Sequence, residues 1–151
     1  MTTVLIAEDN AINRELLREL LEARGYSVVE ACNGQEALHM VEQIPPDLLL
    51  LDIAMPVLDG FGVVRKIREN PRLATLPVLA VTAYAMQGDQ ERVLNSGFDG
   101  YLSKPISAVA LAEEMDRLLS KKDSLSPAME QSRDKVANKK FQAANSTGNN
   151  G

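Results

Sequence analysis

Five side chains in this 151-residue chain could together handle a phosphoryl group: Glu8, Asp9, Asp52, Thr82 and Lys104. A carboxylate can serve as nucleophile, a lysine supplies a compact positive charge, and a threonine hydroxyl donates to an anion. Each of the five stands at the end of a short apolar run. Val-Leu-Ile-Ala precedes Glu8-Asp9, four leucines precede Asp52, and Pro-Val-Leu-Ala-Val precedes Thr82. Gly-Tyr-Leu-Ser precedes Lys104. Gathered in one place, the three carboxylates would repel: at an effective dielectric near 20, two unit charges about 4 Å apart cost about 4 kcal/mol. An oxygen-preferring divalent cation offsets that cost, and Mg²⁺ suits a site with few protein ligands and several waters. Carboxylate nucleophile, metal clamp, lysine and hydroxyl are the parts of a phosphoryl-transfer site, with an aspartyl phosphate as product. Singly, each residue reads better as part of a solvated rim; the case rests on all five sharing one position in their runs.

The elements that would bring them together are legible in the hydrophobic pattern. Leu48–Asp52 is an uninterrupted apolar run bounded by turn residues, which predicts a strand buried on both faces of a parallel sheet. Residues 4–7, 26–31, 77–82 and 100–103 predict four more strands, the second of them at an edge because its alternation is partial. Asn10 to Asn13 supply cap chemistry for a helix over 14–24, with Leu16, Leu17, Leu20 and Leu21 on one face and Gly25 past its end. Asn33-Gly34 opens a second helix with Ala37, Leu38, Val41 and Ile44 inward, stopped by Pro45-Pro46. Asp59-Gly60 reads as a turn before a helix over 61–69. A polar helix over 87–96 and a helix capped by Ser107, with Leu111, Met115, Leu118 and Leu119 inward, complete the series. Five strands alternating with five helices predict an α/β fold, a flavodoxin-like doubly wound parallel sheet of order 2-1-3-4-5. In that order the acids meet at the switch point, at the carboxyl ends of the first and third strands.

Length and composition bound the rest. One domain is expected over residues 1–120, followed by a polar tail over 121–151 with no apolar periodicity, expected to be disordered and at most helical near 128–144. Residues 1–120 carry 18 acids against 10 bases, whereas 121–151 carry three acids against six bases. The acidic body argues against nucleic-acid binding through the folded part. No run reaches membrane-spanning length, no signal peptide is visible, and the single Cys32 excludes an internal disulfide, so a cytoplasmic location is expected. Cys32 reads as structural rather than redox-active, and the lone His39 as a surface residue of the second helix, not an internal phosphohistidine.

The set Glu8-Asp9, Asp52, Thr82 and Lys104-Pro105 resembles the response-regulator receiver domain of two-component signalling, over about residues 3–120. Asn10, Asn13 and the stretch 85–89 resemble two subgroups, receivers attached to hybrid kinases and stand-alone regulators of the chemotaxis and cell-cycle type. The resemblance implies a phosphoacceptor module rather than an enzyme with a metabolic substrate. Asp52 would take the phosphoryl group from a histidine kinase or histidine phosphotransfer protein. Asp9, Asp52 and the Ala54 carbonyl would hold Mg²⁺, with Glu8 acting through water. Lys104 would pair with phosphoryl oxygens, and the Lys104–Pro105 bond would be cis. Thr82 would hydrogen-bond the phosphoryl group and Tyr101 would turn inward behind it, switching a surface on the fourth helix, fifth strand and fifth helix toward an unidentified protein target. Ala54 and Tyr84 would influence the lifetime of the phosphorylated form. Ile12 and Ile106 read either as contacts for a partner helix bundle or as ordinary burial. An aspartate-nucleophile phosphatase would need a second acid where Ala54 stands, and a phosphate-independent receiver-like module would have no use for all five site residues. Four percent aromatic residues and no tryptophan give a flavin little to stack on.

Overall fold

The computed structural model describes residues 1–83 and 87–124, with side chains described for 1–83 and 90–120. Five strands alternate with five helices: β1 (Thr3–Ala7), α1 (Ala11–Ala23), β2 (Ser27–Ala31), α2 (Gly34–Gln43), β3 (Leu48–Asp52), α3 (Gly60–Glu69), β4 (Val78–Thr82), α4 (Gln87–Asn95), β5 (Gly100–Ser103) and α5 (Ala108–Ser124). The sheet order is β2-β1-β3-β4-β5 and every pairing is parallel. Met1–Leu119 form one compact unit. The expectations for residues 125–151 and for Tyr84 lie outside the described residues.

Pleating explains how one leucine run serves two cores. Leu49 and Leu51 join Leu5, Ala80, Val63 and Ile67 on the sheet face covered by α2 and α3. Leu48 and Leu50 join Ile6, Leu79, Leu17 and Met115 on the face covered by α1 and α5. All five residues of β3 and all five of β4 are buried. The strand that carries Asp52 is therefore held from both sides by close-packed side chains, and the aspartate inherits that rigidity.

Two helix readings need correction. Ile44 is not inward: it is the extended C-cap of α2 and 82 % exposed. The following Pro45 disfavours helical geometry at the preceding residue, so α2 ends at Gln43 before Ile44 can turn to the core. In α1, Leu17 and Leu21 are buried while Leu16 is 44 % exposed, so the inward stripe is narrower than four leucines. The helix also starts earlier than residue 14, because Asn10 Oδ1 accepts the Asn13 amide at 2.9 Å and caps a helix beginning at Ala11.

The loop after β3 is shaped by close approach. Asp59 is the N-cap of α3, its Oδ1 accepting the Gly62 amide at 3.0 Å, rather than merely a turn residue. A Cβ on Gly60 would lie 2.8 Å from the Ile53 Cα, and one on Gly34 would lie 1.8 Å from the Leu58 carbonyl oxygen. Between them Val57 adopts φ 72°, a left-handed conformation that a β-branched residue enters only under constraint. Its side chain is 79 % exposed, so replacement loses little packing. Val57→Gly is expected to raise stability by about 0.5–1 kcal/mol, the relieved strain exceeding glycine's unfolded-state entropy. Urea denaturation gives the value; a loss of stability would show that the left-handed turn carries no strain worth relieving.

Candidate functional site

The carboxyl ends of β1, β3 and β4 bring the predicted acids together. Glu8 follows β1, Asp52 ends β3 and Thr82 ends β4; the three are 1 %, 3 % and 0 % exposed. Asp9 is exposed at the mouth. Carboxylate oxygens of Glu8, Asp9 and Asp52 lie within 4.8 Å of one another. Lys104, just past β5, reaches back so that Nζ donates to Asp52 Oδ2 at 3.0 Å and lies 3.1 Å from Glu8 Oε1. Lys104 N donates to the Thr82 carbonyl at 2.8 Å, fastening the lysine's backbone to β4. The Lys104–Pro105 peptide bond is cis.

Each buried carboxylate has its own anchor. Asp52 Oδ1 accepts the Ala54 amide at 3.1 Å, and Glu8 Oε2 accepts the Asn10 amide at 3.1 Å. Glu8 Oε1 is buried with no aligned hydrogen-bond donor among the described residues; the lysine at 3.1 Å acts on it as an ion pair. Burial pushes the Glu8 carboxyl up to about 7. The Asn10 amide and Lys104 oppose that rise and the adjacent Asp52 carboxylate adds to it. For Lys104, burial favours the neutral amine, but its bonds to Asp52 and Glu8 outweigh burial and hold the ammonium above its usual range.

The sign of the Glu8 shift makes a prediction. A carboxyl raised from 4.5 to about 7 binds its proton more tightly when folded. Between those pH values the native state therefore holds more protons than the unfolded state, and stability falls as pH rises. Without divalent metal, wild type should lose stability from pH 4.5 to 7 relative to Glu8→Gln. Parallel urea midpoints for the two proteins would disprove the shift.

Buried Glu8 Oε1 with no aligned hydrogen-bond donor among the described residues, an all-oxygen donor set and excess negative charge together fit a hard divalent cation such as Mg²⁺. Beside the acids lies an open cleft of about 640 Å³ lined by Asp9, Ala54, Met55, Asp59, Phe61 and Arg92 among others. The Arg92 guanidinium stacks 4.2 Å from the Phe61 ring centroid, and Phe61 meets Phe98 edge-on at 6.0 Å. This contact ties α4 to α3 at the cleft wall, and its parts lie too far apart in sequence to announce it. Tyr101 is half-buried against the α2–α3 core. His39 and Cys32 are both exposed, the first as expected. Ile12 is 78 % exposed, whereas Ile106 packs partly against the α1–α5 core, so the two do not share one environment.

The response regulator receiver domain family matches residues 4–116. The chain belongs to that family. Its relatives include the polar-differentiation response regulator DivK of Brucella anthropi, 42 % identical over 117 residues that cover 78 % of this chain and 95 % of DivK. The receiver is also similar to that of a sensor histidine kinase from Pseudomonas aeruginosa, solved with a magnesium ion in its active site cleft. That likeness has TM-score 0.74 and 34 % identity, covering 79 % of this chain and 98 % of the other. The receiver of Saccharomyces cerevisiae Ssk1, solved in complex with the histidine phosphotransfer protein Ypd1, matches with TM-score 0.74 and 30 % identity over 80 % and 90 % of the two chains. Receiver domains bind Mg²⁺ at an acidic site and work with histidine kinases or phosphotransfer proteins. Among the described residues of this receiver no helix is long and apolar enough to cross a membrane.

Proposed function

We propose that this receiver is a phosphoacceptor of a two-component or phosphorelay pathway, with Asp52 as the residue phosphorylated. The observation that carries the reading is the buried Asp52 carboxylate, held by Lys104 at 3.0 Å and the Ala54 amide at 3.1 Å beside two further acids. In the transfer a carboxylate oxygen of Asp52 forms a bond to phosphorus as the bond from phosphorus to the donor's histidine nitrogen breaks. The imidazole leaves with the electron pair of that bond and takes a proton.

Glu8, Asp9 and Asp52, with the Ala54 carbonyl, are the groups that would hold Mg²⁺, which when bound neutralises charge on the transferring oxygens. Lys104 is already charged and within reach of Asp52, so it can exchange its carboxylate partner for a phosphoryl oxygen. Thr82, buried at the end of the neighbouring strand, supplies a hydroxyl on the other side. A phosphoryl group adds about one to two negative charges, and drawing Thr82 and Lys104 toward it alters the packing of Tyr101 on β5. The surface of α4, β5 and α5 is then the one a protein target reads. In sequence the receiver is taken as residues 1–120 and the polar stretch 121–151 as its tail, and the module works in the cytoplasm with no metabolic substrate of its own.

Incubation with phosphoramidate and Mg²⁺ followed by intact mass measurement tests the reading. Wild type should gain one phosphoryl group, and omission of Mg²⁺ should abolish the gain. Equal gain by Asp52→Asn would move the acceptor elsewhere.

A further inference from the structure

Of the three acids in the cluster, Asp9 is the one whose carboxylate has no hydrogen bond or ion pair among the described residues. Glu8 and Asp52 are each held by a backbone amide and by Lys104. The direction in which the Asp9 side chain leaves the backbone is consequently set by the two peptides that flank it, Glu8–Asp9 and Asp9–Asn10, the second held where Asn10 N donates to Glu8 Oε2. The first of these peptides is gripped from outside the site: the Glu8 carbonyl accepts Arg14 Nη1 at 2.8 Å, and the peptide before it is held where Glu8 N donates to the Ala31 carbonyl at 3.2 Å. Arg14, on the first turn of α1, is itself fixed: Nε donates to Glu30 Oε1 at 3.3 Å, with its side chain 18 % exposed. Glu30 belongs to edge strand β2, and Arg18 one turn along α1 donates to its other oxygen at 2.5 Å. Bonds from Arg18 and Arg14 hold the Glu30 carboxyl below the usual range against the opposing effect of burial, so it stays charged at neutral pH.

We propose that Arg14 is a positioning residue: clamped by Glu30, it holds the Glu8–Asp9 peptide and so sets the affinity of the acidic cluster for a divalent cation. The inference rests on the reading that this cluster takes Mg²⁺. It uses the planar guanidinium fork, which reaches a carboxylate with one edge and a carbonyl with the other; a lysine ammonium has no such fixed geometry. Charge alone predicts the opposite outcome. Deleting a cation beside an acidic site should tighten Mg²⁺ binding, whereas deleting the brace should loosen it.

The test is calorimetric titration of Mg²⁺ into the full, unphosphorylated chain. Arg14→Ala is expected to bind about tenfold more weakly, the lower end of the range for residues that orient metal ligands. Arg14→Lys should recover little of that loss although it restores the charge. Glu30→Gln should weaken binding less than Arg14→Ala does, and the double variant should be no weaker than Arg14→Ala. Arg24→Ala, which removes one positive charge at an exposed pair with Asp116, should leave the affinity unchanged. In phosphoramidate reactions the half-saturating Mg²⁺ concentration should rise for Arg14→Ala while the rate at saturating Mg²⁺ stays near wild type. A folded Arg14→Ala that binds as tightly as wild type, or more tightly, overturns the proposal. If that variant does not fold, unchanged affinity in Glu30→Gln overturns it. Wild type that fails to bind Mg²⁺ would instead overturn the reading of the cluster on which the brace depends.

Discussion

Asp52→Asn is expected to accept no phosphoryl group and yet, in magnesium-free buffer, to unfold at a higher temperature than wild type. The first half follows from losing the nucleophilic oxygen. The second follows from crowding: two carboxylates, 1 % and 3 % exposed, share one lysine. Removing one charge while keeping the shape leaves Lys104 with Glu8 as its partner and retains a carbonyl oxygen for the Ala54 amide. Relieving a buried, imperfectly compensated charge is worth about 1–2 kcal/mol, which is a few degrees in a domain of this size. Saturating Mg²⁺ should narrow or reverse the difference, because a ligand that binds only the folded state stabilises the chain that retains the full acid set. Calorimetric melting with and without Mg²⁺ checks this. A variant that melts below wild type in chelator would mean that the Asp52–Lys104 pair outweighs the repulsion, and that the site stores no electrostatic tension.

Arg68→Ala should destabilise the fold by about 3 kcal/mol, a large effect for a polar side chain away from the acidic cluster. From α3 this side chain donates to the carbonyls of Gly97, Ala74 and Leu76 at 2.9, 2.9 and 2.8 Å and to Asp99 Oδ2 at 2.8 Å. The same Asp99 oxygen accepts the Val78 amide at 2.9 Å at the start of β4. Truncation strands several acceptors and leaves a carboxylate without its cation; breaking a fully buried pair costs about 3–5 kcal/mol. Partial exposure, 22 % for Arg68 and 34 % for Asp99, puts the expectation at the low end. Arg68→Lys should lose nearly as much, since one ammonium cannot serve four separated acceptors. Urea unfolding measures both. A loss under 1 kcal/mol for the alanine variant would show that water replaces these bonds without penalty.

The reach of sequence reading differs between elements for physical reasons. The five strands and their order were legible because β3 and β4 are buried on both faces, so their composition records the environment directly. Glu8, Asp52, Thr82 and Lys104 were legible because each occupies a strand end. Ile44 misleads because its spacing matches the inward stripe of α2, whereas the proline after it decides its extended conformation. The Arg14–Glu30 and Arg68–Asp99 pairs were not legible: their partners lie 16 and 31 residues apart, and no local pattern marks an arginine whose acceptors are carbonyls of distant loops. The left-handed Val57 was equally silent, since valine is a poor signal for such a turn.

The alternation of Leu48 to Leu51 between two cores bears on which insertions and deletions this chain could tolerate. The four positions carry the same residue, so losing one leucine changes almost nothing in composition or hydrophobicity. It changes parity. Side chains in a strand repeat every two residues, so a single deletion within β3 would exchange what the strand contributes to the α2–α3 and α1–α5 faces. Leucine can be accepted on either face, so the sheet has a route to survive the slip. Asp52 does not: it would arrive on the wrong side of the sheet, turned away from Lys104. Such a chain could remain folded while losing its acceptor, a frameshift of geometry that thermal melting would miss and phosphoryl mass would reveal.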